Sequence, residues 1–391
     1  MTGLRVAMLA PHARTFIQGL ATGLAPHLDH LDLWVRHNRV VDWAAGLPWP
    51  HAKAVGRKYG ARVVLGEATW PSNVDVRLAS IAYLRRDGVN PGLGKRLGRR
   101  WSSLLASDPA PDLLHGQFLH PQGVAAAKAA ERLGTKLVLT GHGFDVYDLP
   151  RRSPRWAALA QATLAQADEV ITVSQRNAAL LRDLGVDAAR LTVIPNGYDS
   201  RRFHPRPRPE CRQRLGLPEK GPIVACVGNL EPVKGQDLLV EAFRTVHQTY
   251  PGARLVLIGG GSMEPVLQAM VVRLGLGDVV QFVGPRPHDE IPDWLNAVDL
   301  VVLPSRDEGN PTLLAEALGC GVPVVATRVG GVPDILSNEF LVAPEDPAGL
   351  AESILATLAG QRRRPTAKRD LRWETLAAET AQVYGRAVRR S

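Results

Sequence analysis

Two glutamates and the backbone around them are the first residues that could do chemistry. The stretch RDEGNPTLLAEALGCGVPVVATRVGG runs from Arg306 to Gly331 and carries Glu308 and Glu316. It follows DLVVLPS (299–305), an apolar run that reads as a buried strand. A helix is expected to begin near Pro311, whose fixed φ suits the first helical position. The N–H groups of Gly309, Asn310 and Thr312 then gather at a helix N-terminus, where anions are favoured. Glu308 falls in the loop and Glu316 in the second turn. A carboxylate accepts hydrogen bonds from two neighbouring hydroxyls, and a sugar is a chain of neighbouring hydroxyls. Acids flanking an anion-seeking helix end suggest a ligand with sugars on both sides of a phosphate, which is a nucleotide-sugar. Any one glutamate here would more often be a cap or an exposed helix residue; the whole stretch carries the reading.

Two other stretches put single functional groups where an apolar run ends. In VGNLEPVKGQDLLVEAF (227–243), Lys234-Gly235 stand after a polar loop and just before a helix. A lysine there is a flexible point charge suited to a diphosphate, although Lys-Gly is common in loops. In TGHGFDV (140–146), His142 lies between two glycines directly after a strand. Nothing bulky in the neighbouring sequence shields its ring, which favours a ligand-facing role over the commoner structural one. IGGGSMEP (258–265) lacks the G-x-G-x-x-G spacing and reads as a turn.

The elements that must position these groups alternate along the chain. LRVAMLA (4–10), KLVLTG (136–141), EVITVS (169–174) and RLTVIPNG (190–197) read as buried strands. PQGVAAAKAAERLG (121–134) and SQRNAALLRDLG (174–185) read as helices, the second capped by Ser174 and closed by Gly185. The Pro- and Arg-rich 196–221 reads as a linker with a short helix. PIVACVGN, ARLVLIGGG, VVQFVG, DLVVLPS and PVVAT then repeat the pattern. Alternating apolar strands and helices imply parallel sheets covered on both faces. The expected fold is α/β, with two Rossmann-like doubly wound domains facing across a cleft. They span 1–198 and 199–369, and a helical tail over 370–391, anchored by Trp373, is expected to pack back on the first. In such sheets ligands sit at the carboxyl ends of the strands.

EGNPTLLAEA, VGNLEPVKG, TGHGFDV and VIPNGYD (193–199) together resemble the signature segments of glycosyltransferase family 4, retaining enzymes of the GT-B fold. They occur in the family's order across most of residues 110–345. The resemblance implies a retaining, metal-independent hexosyltransferase, with an acceptor-binding first domain and a donor-binding second one. It implies that Glu308 contacts the donor sugar near the reacting carbon, that Glu316 holds the ribose hydroxyls and that Lys234 meets the diphosphate. His142 would lie beside the donor sugar, and the amides from Gly309 through Asn310 and Pro311 to Thr312 would hold sugar and phosphate. Acceptor attack on the same face, with the departing phosphate oxygen taking the proton, follows from the same resemblance. The family commonly has Arg where Asn229 stands, so Asn229 would meet the donor without a second cation. Many members carry a Gly-Gly loop after the first strand. Here APHARTFIQGL (10–20) replaces it, and Thr15-Phe16-Ile17 is expected to shape that side differently, with Thr15 at the substrate; the stretch resembles a subset in which Thr-Phe-Ile opens the first helix, often linked to exopolysaccharide assembly. Gln117 stands where relatives often have His, which leaves His115 and His120 as structural or acceptor-side groups.

Partners follow from charge and from the same resemblance. The net charge is +9, and residues 51–100 hold 11 Lys and Arg against 3 Asp and Glu. The stretch 76–105 clusters Arg85, Arg86, Lys95, Arg96, Arg99 and Arg100 with Leu84, Leu93, Leu97, Trp101, Leu104 and Leu105. From Leu93 onward the apolar residues fall on one face and the basic ones on the other, which is read as a basic amphipathic helix for an anionic membrane surface, against the alternative of an ordinary helix with solvated arginines. Nucleic acid is a poorer explanation, because few aromatics interleave the basic residues. The expected ligands are a nucleotide-sugar donor and a carbohydrate or lipid-linked acceptor. No cofactor and no metal is expected, since no Asp-x-Asp triplet occurs. Three cysteines without knuckle spacing suit a reducing compartment. The first apolar run reads as a strand, and no apolar run reaches about 18 residues. The expected location is cytoplasmic, with peripheral attachment to the inner face of the membrane. A sugar-nucleotide epimerase or phosphorylase, or a non-catalytic nucleotide-sugar binding protein, are the competing readings on the same architecture.

Overall fold

Successive residues of a strand point to opposite faces, so a strand covered on both sides must be apolar throughout. The computed structural model, which describes residues 3–45, 61–65, 69–83, 90–106, 109–361 and 365–390, shows this directly. Val6 and Met8 of the first strand enter one core, while Ala7 and Leu9 enter another. Ile223 and Ala225 likewise face away from Val224 and Cys226.

The chain divides into one unit of Met1–Pro195 with Trp373–Ser391 and a second of Asn196–Arg372. The first contains β1 (Arg5–Ala10), β2 (His30–Asn38), β3 (Val74–Ile81), β4 (Leu113–Gln117), β5 (Lys136–Gly141), β6 (Glu169–Thr172) and β7 (Leu191–Val193). They form a parallel sheet in the order β3-β2-β1-β4-β5-β6-β7. The second contains β8 (Ile223–Val227), β9 (Arg254–Ile258), β10 (Val280–Gly284), β11 (Leu300–Leu303), β12 (Val324–Thr327) and β13 (Leu341–Val342). Their parallel order is β10-β9-β8-β11-β12-β13. Each is a Rossmann-like doubly wound sheet. Strand order reverses between β1 and β4 in one and between β8 and β11 in the other, the switch points where such sheets open a crevice.

Local signals were kept where the sequence placed them. Ser174 caps the helix Gln175–Asp183 by accepting from the Asn177 N–H, and Gly185 follows it at φ 95°. The helix expected over 121–134 is present: a π-helical turn over Leu119–Gly123 leads into the α-helix Val124–Leu133, and Gly134 closes it in the left-handed region. The last helix, Trp373–Arg389, belongs to the first unit. There Trp373, Leu376, Ala377, Ala381, Val383, Tyr384 and Ala387 are buried against the helix Phe16–Leu24 and the sheet. All three cysteines are buried and free, and burial pushes the Cys226 and Cys320 thiols up to about 12, as suits packing residues.

Two expectations need correction. Residues 196–221 are not a linker. Phe203 and Cys211 lie in the core of the second unit, and Arg212 is only 5% exposed. Its guanidinium meets the Asp299 carboxylate at 2.7 Å and the Ala297 and Glu219 carbonyls, while Arg206 and Arg214 share Asp293. These arginines are structural because acids far along the chain neutralise them.

The amphipathic helix expected from Leu93 onward is present as Leu93–Leu105, but its apolar face is not free for a membrane. Val74–Ile81 is strand β3, and Leu84, Arg85 and Arg86 lie outside the described residues. In the helix Leu93–Leu105 the apolar face is spent on the core: Leu93, Leu97, Trp101 and Leu105 are buried. Gly94 and Gly98 let the helix Val124–Leu133 press against it. Lys95, Arg96, Arg99 and Arg100 remain exposed. No helix among the described residues is long and apolar enough to cross a membrane.

Candidate functional site

The second unit gathers its acids and its lysine at the switch point. The loop after β8 leads to Lys234 and the loop after β11 to Glu308. Lys234 Nζ donates to Glu308 Oε1 at 2.7 Å, and Ser305 Oγ donates to the same oxygen at 2.7 Å. Two glycines let these loops approach. Gly235 sits at φ 65°, where a Cβ would collide with the Pro304 carbonyl, and Gly330 at φ 54°, where one would collide with the Glu308 carbonyl.

Arg306 braces both loops. Its backbone N–H donates to the Val233 carbonyl at 2.8 Å and its guanidinium to the Pro232 carbonyl at 2.7 Å. The same guanidinium grips Asp237 through two 2.8 Å bonds and reaches Glu345 at 2.6 Å. These acids raise the Arg306 pKa and hold Asp237 below the usual carboxylate range. Glu345 itself adopts φ 58°, a backbone region that a non-glycine residue rarely enters. Replacing Arg306 with Ala is expected to lower kcat about tenfold or more while leaving the fold intact, because the Lys234–Glu308 geometry loosens. Steady-state kinetics beside a melting curve checks this; wild-type kcat counts against the brace.

Pro311 does not occupy the first helical position. It precedes the helix Thr312–Gly319 with an extended ψ of 112°, so the helix starts at Thr312 and Gly309 and Asn310 remain in the loop. The Gly309 carbonyl accepts from Gly331 N–H at 3.1 Å. Asn310 Oδ1 accepts from the Asn196 N–H at 2.9 Å, and Tyr198 packs where a Gly319 side chain would stand. Thus VIPNGYD and EGNPTLLAEA contact each other, a physical reason for the two motifs to occur together. Glu316, 7% exposed, accepts from His288 Nε2 at 2.7 Å, and the His288 ring lies 5.3 Å from that of Phe203. Asn229 is exposed, and its carbonyl accepts from Gln236 Nε2 at 3.0 Å.

In the first unit the corresponding strand ends carry aromatic and imidazole groups. His142, after β5, lies with its ring centroid 4.9 Å from that of Phe16 and 4.4 Å from that of Phe118. The neighbouring glycines therefore do not leave the ring unshielded as the sequence suggested; rings from elsewhere wall it, and it is 8% exposed. Its Nε2 donates to Gln117 Oε1 at 2.7 Å. Burial above all, and then the electrostatic cost of protonating it beside His115 and His12, lowers its pKa to about 3, so it is neutral. Asp145 shapes the turn by accepting from the N–H groups of His142, Gly143 and Leu119. Two non-glycine residues at positive φ flank this cluster: Thr15 (φ 51°), exposed just before the helix Phe16–Leu24, and Phe118 (φ 72°). Backbone strain of this kind persists where surrounding structure holds it and tends to collect at functional positions. His115 is buried between Tyr384 and Thr140, each 2.7 Å away, and His120 stacks edge-on to Trp156.

Among the described residues one group has metal-ligand spacing, His30, Asp32 and Asp75. It lies at the amino ends of β2 and β3, opposite His142, and Arg77 already reaches Asp75 at 3.0 Å and Asp32 at 3.4 Å.

Sequence reasoning missed His288, Arg306 and Ser305. A basic residue two positions before Glu308 at a strand end was a usable signal for Arg306. His288 follows β10 in a Pro-His-Asp-Glu turn, and nothing local ties it to Glu316.

Residues 207–372 match the model of glycosyl transferases group 1, and residues 57–202 that of Glycosyltransferase Family 4. The D-inositol 3-phosphate glycosyltransferase of Xylanimonas cellulosilytica is 32% identical over 309 residues, covering 71% of this chain and 73% of that one. The putative teichuronic acid biosynthesis glycosyltransferase TuaC of Bacillus subtilis is 34% identical over 277 residues, covering 70% and 67%. Among solved structures, sucrose-phosphate synthase from Thermosynechococcus elongatus superposes with a TM-score of 0.74 at 22% identity, covering 97% and 98%. HepE of Anabaena in complex with UDP superposes at 0.69 with 21% identity, covering 98% and 97%. Two Rossmann-like units with this match define a glycosyltransferase of the GT-B fold. The chain belongs to glycosyltransferase family 4.

Proposed function

We propose that the chain transfers a hexosyl group, with retention of anomeric configuration, from a nucleotide-sugar to an acceptor hydroxyl in polysaccharide or glycolipid assembly. The observation that carries this is the pairing of Lys234 with Glu308 at the carboxyl ends of β8 and β11, with Glu316 on the helix that follows. In this reading Asn196–Arg372 holds the donor and the other unit the acceptor. Lys234 turns to the diphosphate and Glu308 to the sugar hydroxyls, exchanging their mutual bond for ligand contacts. Glu316, oriented by His288, takes the ribose hydroxyls. The N–H groups of Gly309, Asn310 and Thr312 bind sugar and phosphate oxygens, and Pro311 holds their loop. Asn229 and Thr15 line the donor and acceptor sides, and His142 receives a sugar hydroxyl. The acceptor oxygen bonds to the anomeric carbon as the carbon–phosphate-oxygen bond breaks. The departing phosphate oxygen takes the acceptor's proton, and Lys234 stabilises its charge without a metal.

HepE is solved with UDP-glucose and several curated relatives act on D-inositol 3-phosphate, which makes a UDP-sugar and a phosphorylated or lipid-linked polyol sensible first probes. A UDP-, GDP- and ADP-sugar panel is expected to raise the melting temperature for one base, by about 2.7 kcal/mol of stability at 100 times Kd. Nucleoside diphosphate released on adding acceptor supports transfer. Isomerised sugar, or binding without turnover under every acceptor, overturns it.

The exposed row Lys95, Arg96, Arg99 and Arg100 suits peripheral attachment to the anionic inner face of the membrane, by charge alone because the apolar face is buried. Sedimentation with phosphatidylglycerol vesicles at low salt, lost at high salt and lost when Arg96, Arg99 and Arg100 become Glu, is the expected result. Protein that stays in the supernatant at low salt counts against it.

A further inference from the structure

We propose that Gln117 is a positioning residue that fixes His142 as its Nε2–H tautomer, leaving Nδ1 as a bare acceptor for a ligand hydroxyl. Gln117 ends β4 and is fully buried. Its Oε1 lies 2.7 Å from His142 Nε2, and a carbonyl oxygen can only accept, so Nε2 carries the proton. A neutral imidazole has one N–H, so Nδ1 has none. That Nδ1 is buried and has no hydrogen-bond partner among the described residues. Buried acceptors are rarely left unmatched, and a ligand hydroxyl would match this one. Phe16 and Phe118, with ring centroids 4.9 and 4.4 Å from that of His142, pack against the imidazole and restrict its tilt, so the lone pair keeps one direction.

The other half of the amide is oriented from behind. Gln117 Nε2 lies 3.6 Å from Met8 Sδ, a weak acceptor, and 3.2 and 3.4 Å from the Nε2 and Nδ1 of the His115 ring. His115 is itself held at both ring nitrogens by Tyr384 and Thr140, and burial keeps it neutral, with its pKa lowered to about 3. With both ring nitrogens engaged there, neither Met8 Sδ nor the His115 ring offers a free donor to a carbonyl oxygen, which favours the amide nitrogen on that side and the carbonyl toward His142. The C-terminal helix thus reaches His142 through Tyr384, His115 and Gln117.

The inference rests on the reading of His142 as a sugar contact, but its test does not. Long-range 1H–15N correlation of the full chain, with the His142 signal assigned by its loss in His142→Ala, reads the tautomer without substrate. The expected wild-type signal has a protonated Nε2 and a bare Nδ1. Gln117→Met, similar in volume and unable to accept from Nε2 comparably, is expected to give a tautomer mixture and to cut transfer about tenfold at an unchanged melting temperature. A protonated Nδ1 in the wild type overturns the proposal even if the variant fails to fold. So does a folded Gln117→Met with the wild-type tautomer. If the tautomer behaves as expected but His142→Ala transfers sugar at the wild-type rate, the tautomer assignment stands and the role of His142 in transfer falls.

Discussion

A chain ending at residue 372 is expected to lose the cooperative unfolding transition of its first unit. The helix Trp373–Arg389 buries Trp373, Leu376, Val383 and Tyr384, and each such side chain is worth about 1.5–3 kcal/mol. Together they approach the whole stability of a typical domain, about 5–15 kcal/mol. Truncation also removes Arg386 and Arg390 from Glu169, which is fully buried, and the Tyr384 hydroxyl from His115. An unpaired buried carboxylate is costly in itself. A gentler version uses one atom. Gly19 exists to admit the Trp373 indole, and a Cβ there would overlap the ring. Gly19→Ala is expected to destabilise by about 1–3 kcal/mol through overpacking. Calorimetry of both variants is the check; an unchanged first transition in the truncated chain would falsify the helix's role as a core element.

The second large effect concerns Lys234 and Glu308. Lys234→Ala and Glu308→Ala are each expected to lower kcat by about 10²–10³, since each removes a group placed where charge or bonding changes in the transition state. Because the two side chains touch, the double variant should be less impaired than the product of the singles. UDP alone, or whichever nucleoside diphosphate the panel selects, should still stabilise Glu308→Ala but not Lys234→Ala. Glu316→Ala should raise donor KM with less change in kcat, as loss of uniform binding does. Unchanged kcat and equal KM changes in the Glu308 and Glu316 variants would sink the division of roles.

Much of the site was readable because its signals are local. Glu308 lies in the turn before one short helix and Glu316 within that helix, and Lys234-Gly235 precede a longer one, so a strand-end reading placed them without distances. His142 was found the same way, but its surroundings were not: Phe16, Phe118 and Gln117 come from three other segments. His288 escaped because its pairing with Glu316 spans 28 residues and leaves no periodic trace.

The sequence alone determined that this chain builds two doubly wound α/β units, that helices begin at Ser174 and near Trp373, and that the acids and lysine lie at strand ends. Hydrophobic period, caps and turn residues act over a few neighbours, so they are written where they act. Only the tertiary structure decided which charges cancel, which faces are buried and which way a ring points. Arg212 meets Asp299 across 87 residues, and His115 meets Tyr384 across 269. The same register of leucines in Leu93–Leu105 could have faced a membrane or a core, and Gly94 and Gly98 decided it by admitting the helix Val124–Leu133. Such pairings follow from strand order and from helix contacts at atomic distance. No window of sequence short enough to show a period contains both partners.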